Sequence, residues 1–161
     1  MANDGILLGL ALFLGIGFIT GLRSMTGPAV IAWAVYLGWL HPAGALAFVG
    51  HTWAVALFTL LAIGELIADK LPTTPNRTGA VGLGGRILAA AFCGAVLAAA
   101  IPQNLWWGMV ITAITAVIGA FAGYRVRRYL TMVRGLPDFP VAVAEDLFTI
   151  VVGIFTVRRG L

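Results

Sequence analysis

The chain has 161 residues, of which 61% are hydrophobic and only 10% are charged. Soluble domains are roughly 45–50% apolar and about 25% charged, and a water-soluble fold of this composition would expose large apolar patches. The composition therefore excludes an ordinary soluble domain and predicts an all-α integral membrane protein, whose backbone polar groups bond within helices. The net charge of +4 does not indicate nucleic-acid binding, because the basic residues lie beside apolar runs, as topology determinants and head-group contacts do.

Apolar runs divide the chain into about six hydrophobic segments within a single transmembrane domain of residues 1–161. A transmembrane helix needs about 20 apolar residues to cross roughly 30 Å of hydrocarbon. The predicted segments are 5–22, 24–40, 45–69, 80–101, 105–124 and 139–157. The first is expected to be a retained span, since the N-terminus carries Asp4 and no base, unlike a secretory signal.

The second segment is short. From Pro28 to Leu40 it has 13 residues, which make about 20 Å of helix. It crosses the membrane only if residues 24–27 also lie inside. We therefore predict that at least one segment is a broken or re-entrant helix, whose free backbone groups face protein or water.

Lysine and arginine predict the orientation. The loops after segments two and four contain neither residue, whereas the loops after segments one, three and five contain Arg23, Lys70, Arg77, Arg125, Arg127, Arg128 and Arg134. These odd-numbered loops are predicted to be cytoplasmic, with the N-terminus outside. Six full spans would place the Arg158-Arg159 tail outside, and the alternative is a last segment that re-enters and returns to the cytoplasm; the full span is weakly favoured.

Glycine spacings predict close helix contacts. Pairs four residues apart occur at Gly5/Gly9, Gly17/Gly21 and Gly119/Gly123, and such pairs suit close crossings within the bundle or in a homodimer. A weak internal similarity between 21–24 and 82–86, each followed by an apolar run, would also fit two inverted halves, as found in inverted-repeat transporters.

The stretch 64–78 concentrates charge in a chain that has little of it. Glu65 and Asp69 lie at i and i+4, on one face of a helix, and Lys70 with the prolines after it ends that helix. Helix rise places Glu65 about 7 Å, Arg86 about 9 Å, and the Glu145-Asp146 pair about 10–12 Å inside the predicted cytoplasmic boundary. Arg23 and Asp69 lie near the boundary, so the predicted binding residues share one half of the bundle: Arg23, Glu65, Asp69, Arg86, Glu145 and Asp146.

Charges at such depth are costly and persist where they pair or line a polar cavity. The favoured pairs are Arg86 with Glu145, and Arg23 with Glu65 or Asp69. Glu145 and Asp146 are expected to point about 100° apart. The alternative is purely structural, with internal salt bridges and helix-end charges. For Arg23, Asp69 and Lys70 the structural and the functional interpretations are equally favoured. For Arg86 and Glu145-Asp146 a functional polar site is favoured.

Familiar catalytic motifs are missing from the sequence. It contains no Cys/His metal spacing, no Gly-x-Ser-x-Gly elbow and no His-Glu-x-x-His, so no catalytic residue and no cofactor is predicted, and a metal is left open. The glycine-rich run 79–86 fits either an anion at a helix start or close helix packing. An enzyme is less favoured than a binding or transport protein.

Three stretches resemble a family of small bacterial membrane proteins called domain of unknown function 4126. They are Gly21 to Ala29, then Glu65 to Pro72 with Asn76-Arg77, and then Gly82 to Arg86 together with Glu145-Asp146. The resemblance covers most of the chain. It implies a multi-pass protein of the bacterial inner membrane and carries no activity with it.

The favoured function is a small membrane transporter or channel for an ion or a small polar solute. The four acids of the predicted site outnumber its two arginines, which favours a cation or a proton-coupled cargo. The alternatives are a membrane enzyme or binding protein acting on a phospholipid head group, and a structural or assembly protein. The expected partners are membrane lipid, the ion or solute, and a second copy of the chain in a homodimer.

Overall fold

The protein is a bundle of helices. The computed structural model describes residues 2–70 and 79–159, with side chains from 5 to 158, and every regular element in these residues is helical. A 3₁₀ segment, Gly44–Gly50, precedes the third helix, and a π-helical turn, Tyr129–Val133, follows the fifth. The helices are α1 (Ala2–Leu22), α2 (Thr26–Tyr36), α3 (Thr52–Ala68), α4 (Ala80–Ala100), α5 (Leu105–Arg128) and α6 (Asp138–Arg159).

Four helices are long and apolar enough to cross a membrane. They are α1, α4, α5 and α6, and the apolar stretch of α5 continues through the π-helical turn to Val133. Their bounds agree with the predicted first, fourth and sixth segments. The fifth was predicted to end at residue 124 and to be followed by a basic loop, but α5 continues to Arg128 and the helical stretch to Val133. The prediction of an all-helical, multi-pass membrane protein is therefore confirmed.

The second and third predicted segments differ from expectation. Helix α2 has 11 residues and is about 16 Å long, too short to span by itself. The third segment was expected to be continuous, but the 3₁₀ segment and α3 meet at an angle of 64°, because His51 between them has an extended backbone (φ −71°, ψ 145°). The described residues thus provide four spans, or five if the bent pair counts as one, and the six-segment arrangement with inverted halves is not confirmed.

Helix α1 lies at the centre of the bundle. It packs against α5, α4, α6 and α2, and its side chains Leu12, Ile16 and Ile19 are completely or almost completely buried. They join the buried Ile31 of α2 and Val96 of α4 in one apolar core.

The outer surface of the bundle is apolar. Large side chains such as Leu60, Leu88, Trp106 and Ile114 are 57–73% exposed, whereas two arginines, Arg23 and Arg86, are buried. This arrangement is unfavourable in water and suits a hydrocarbon environment, where charged groups face the bundle interior.

Small residues let the backbones of α1 and α5 touch. A Cβ built on Gly21 would collide with the backbone carbonyl of Ala116, and one built on Gly119 would collide with the backbone carbonyl of Phe18. Two of the predicted glycine pairs therefore contribute to a crossing within the chain. By contrast, nothing lies within 4 Å of a Cβ built on Gly5.

We expect Gly21→Ala to destabilise the bundle by about 1–3 kcal/mol, because α1 and α5 must separate to admit the methyl group. Unfolding in mixed micelles by titration with sodium dodecyl sulfate measures this free energy. Gly5→Ala is the matched control and should change it little. Equal effects of the two substitutions would contradict the close crossing.

Candidate functional site

The candidate site is built around the break between α1 and α2. Helix α1 ends at Leu22 and α2 begins at Thr26, and Pro28 is tolerated in the first turn of α2 because the amides of that turn have no partner within the helix. The last carbonyls of α1 and the first amides of α2 therefore need partners from elsewhere. Two charged side chains, from α3 and α4, supply them.

Glu65 of α3 binds the start of α2. Its Oε1 accepts hydrogen bonds from the Ser24 backbone N–H (2.8 Å) and from the Ser24 hydroxyl (2.6 Å). Its Oε2 accepts a bond from the Met25 N–H (2.7 Å). A carboxylate is favourable at this position, because the free N–H groups and the dipole at a helix N-terminus attract negative charge.

Arg86 of α4 binds the end of α1. Its Nε donates to the Gly21 carbonyl (3.0 Å) and its Nη1 donates to the Gly82 carbonyl one turn earlier in α4 (3.0 Å). Its Nη2 lies 3.8 Å from Oε1 of Glu65. Arg86 and Glu65 thus satisfy opposite sides of the same helix break and lie next to each other.

Arg23, at the break itself, is completely buried among carboxylates. Its guanidinium forms an ion pair with Asp69, the residue that follows α3. Its Nη2 lies 2.6 Å from Oδ1 of Asp146 on α6 and 3.7 Å from Oε2 of Glu145. Although adjacent residues of a helix point about 100° apart, Glu145 and Asp146 both approach this one nitrogen.

Lys70 closes the arrangement. Its Nζ donates to Oδ2 of Asp146 (2.8 Å) and to the Leu66 carbonyl (2.9 Å). Asp146 therefore bridges Arg23 at the helix break and Lys70 at the end of α3. We refer to these seven side chains as the ionic cluster: Arg23, Glu65, Asp69, Lys70, Arg86, Glu145 and Asp146.

All six predicted site residues belong to the ionic cluster. The predicted Arg23–Asp69 pair is present, whereas Arg86 contacts Glu65, and Glu145 contacts Arg23, instead of the two forming the favoured pair. The reason is that the helix break needs both a cation at its carbonyl side and an anion at its amide side. Arg77 and the rest of 71–78 lie outside the described residues.

Three participants were not predicted as site residues. Ser24 and the Met25 amide bind Glu65. The position of Ser24 in the polar break between Arg23 and Pro28 was the sequence feature that could have indicated this role. Lys70 was expected to mark a helix end. Arg127 of α5, assigned to topology, pairs with Asp138 (2.6 and 2.7 Å) and lies 3.9 Å from Glu145. Within the described ranges, no group of three or more His, Cys, Asp or Glu residues is arranged to hold a metal ion.

Replacing Arg23 should destabilise the protein strongly. We expect Arg23→Gln to cost about 3–5 kcal/mol of unfolding free energy, because it leaves buried carboxylates without their cation. The same detergent titration measures the loss. Arg158→Gln, at an exposed arginine over the Trp39 ring, is the control, and a similar loss in both variants would argue against a cluster held together by Arg23.

The ionic cluster lies within the part of the chain that matches a known family. The family described as Domain of unknown function (DUF4126) matches residues 10–159, which include α2 to α6 and most of α1. No curated protein and no solved structure matches the chain. The chain belongs to the DUF4126 family.

Proposed function

We propose that the protein is a small membrane transporter for a cation or a proton-coupled polar solute, and that the ionic cluster binds the cargo. The observation that carries the proposal is the attachment of α3: its C-terminal end is joined to the helix break and to α6 through charged side chains. A charged attachment of this kind can be released by a charged ligand, whereas an apolar one cannot.

Apolar packing holds α3 weakly beyond its first turns. Of its 17 residues, only Ala54 and Val55 are fully buried. Further along, Leu60, Ile63 and Ile67 are 47–67% exposed. Glu65 in the last turns of α3, with Asp69 and Lys70 directly after the helix, attaches this end to the ionic cluster, so α3 is the element best suited to move.

Charge favours a positive cargo. The ionic cluster contains four carboxylates and three basic groups, and Arg127 and Asp138 beside it add one charge of each sign. Among the described residues, the site therefore has one more negative than positive formal charge. A bound cation or an added proton would balance it.

A transport step follows from competition for the α3 carboxylates. Glu65 and Asp69 share one helix face. Asp69 is held by Arg23, and Glu65 by Arg86 and the backbone amides of Ser24 and Met25. A cation or proton that binds these carboxylates weakens their hold on the break, so it favours a state in which α3 has moved away. A ligand shifts a conformational equilibrium only through such a difference in affinity. Broken helices beside a buried site serve the same purpose in several transporter folds, and here that comparison is an analogy.

Flux through reconstituted protein tests the proposal. Proteoliposomes that contain a pH-sensitive dye are exposed to gradients of H⁺, Na⁺ or K⁺, and the protein should increase flux of at least one ion above that of empty liposomes. We expect Glu65→Gln to slow this flux about tenfold, which corresponds to ~1.4 kcal/mol in the barrier, because a neutral amide no longer responds to the cation or proton.

Arg158→Gln is the control, since Arg158 is an exposed charged residue outside the ionic cluster, and it should retain near-normal flux. Flux that is unchanged in Glu65→Gln, or absent for all three ions and for proton-coupled uptake of polar solutes, would overturn the proposal. Absent flux for every cargo, together with the expected loss of stability in Arg23→Gln, would indicate a structural role.

Motion of α3 can be measured separately. Amide hydrogen exchange followed by mass spectrometry should be faster in α3 beyond Leu57 than in α1, because exchange follows local opening. We expect Asp69→Asn to accelerate exchange in α3 and to leave α5 unchanged, since it removes one attachment to Arg23. Asp138→Asn should have no effect on α3. Uniform acceleration in all helices would instead indicate general destabilisation.

A further inference from the structure

A groove separates α5 from α6 on the side of the bundle. Its volume is about 560 Å³, and α1 and the π-helical turn form the rest of its wall. The lining is almost entirely apolar and includes Phe18, Leu22, Leu130 and Phe148. The volume is within the range of roughly 300–1,000 Å³ found for ligand sites, and apolar lining with few polar groups is typical of such sites.

Local sequence explains why this groove exists. Pro137 and Pro140 line it at the start of α6, where a proline is accepted in the first helical turn. Small residues, Ala122 on α5 and Ala144 on α6, leave space between the two helices. Because an apolar space of this kind holds no ordered water, hydrocarbon is its natural occupant in a membrane.

One end of the groove is charged. Arg127 and Glu145 are part of its lining, and Arg127 also pairs with Asp138. Arg125, Arg128 and Arg134 are exposed in the same short stretch of chain. The stretch from Arg125 to Glu145, which forms much of this wall, carries four arginines and two carboxylates, a net charge of +2, and basic pockets between transmembrane helices bind anionic lipid head groups.

We propose that the groove binds one acyl chain of an anionic phospholipid, with the lipid phosphate at Arg127. The apolar lining accommodates the chain, and the guanidinium donates charge-assisted hydrogen bonds to the phosphate. This site differs from the proposed cargo site in the ionic cluster, and Glu145 is the one described residue that belongs to both. A phosphate at Arg127 competes with Asp138 and Glu145, so the lipid affects the carboxylate that lies beside Arg23.

Photo-crosslinking tests the groove. Full-length protein is reconstituted into phosphatidylcholine vesicles doped with a phosphatidylglycerol that carries a diazirine in one acyl chain, and labelled peptides are mapped by mass spectrometry. We expect labels concentrated on α5 and α6 in the groove. Ala144→Trp fills the groove from an exposed position on α6 and should reduce that labelling by roughly an order of magnitude, the effect of ~1.4 kcal/mol of binding free energy.

Ala56→Trp, at an exposed alanine of α3 away from the groove, is the matched control and should leave the labelling intact. If Ala144→Trp fails to yield a monodisperse protein, Ala122→Leu replaces it with the same expectation. Labels spread evenly over the lipid-facing helices, or groove labels that survive the filling substitution, would show bulk lipid contact only and overturn the proposal.

The head group is tested with a phosphatidylcholine probe that carries the same diazirine chain. We expect the phosphatidylglycerol probe to label the groove roughly fivefold more, the effect of ~1 kcal/mol for one arginine near the membrane surface. Arg127→Gln should abolish this preference, and Arg158→Gln should preserve it. Equal labelling by both probes in the unsubstituted protein, or an unchanged preference in Arg127→Gln, would overturn the proposed phosphate contact.

Discussion

The buried guanidinium of Arg23 is the constraint on which the rest of the structure depends. A charge removed from water costs several kcal/mol even after relaxation, so Arg23 must be surrounded by partners. They come from α3 as Asp69 and from α6 as Asp146, with Glu145 beside it. The end of α3 and the first half of α6, which are distant in sequence, are thereby fixed at the break between α1 and α2. The second pair, Arg86 and Glu65, bonds to the backbone groups that the same break leaves free.

Stability alone does not explain this arrangement. Well-packed apolar residues of similar volume often stabilise a protein as much as a buried ion pair or more, whereas removal of one partner is strongly destabilising. A chain that otherwise fills its interior with leucine, isoleucine, alanine and glycine could have closed the break in that way. In the proposed function, the ionic cluster instead attaches α3 through groups that a cation or a proton can compete for. The groove beside Arg127, the proposed lipid site, reaches the same region, because Glu145 is part of its lining.

The sequence predicted the fold well where a single element decides it. Runs of about 20 apolar residues have few alternatives to a transmembrane helix, so α1, α4, α5 and α6 followed from hydropathy, except that α5 continues past the predicted end at residue 124 into the basic residues that follow. It was less informative for α2 and for the bend before α3. Both depend on how free backbone groups are satisfied by other parts of the chain, and hydropathy does not record that. Glu65, which caps α2 from 40 residues away, is an example.

The membership of the candidate site was also accessible from the sequence, because helix rise and charge position placed Arg23, Glu65, Asp69, Arg86, Glu145 and Asp146 at similar depths. Their pairing was not, since it depends on the rotation of each helix and on which backbone groups remain free. Lys70 and Arg127 look like ordinary helix-end charges until the tertiary structure shows Asp146 and Glu145 beside them. The sequence by itself determined that the charges share one layer of a helical membrane protein. Only the tertiary structure decided which carboxylate meets which cation, because packing of α3 and α6 against the α1–α2 break sets those distances.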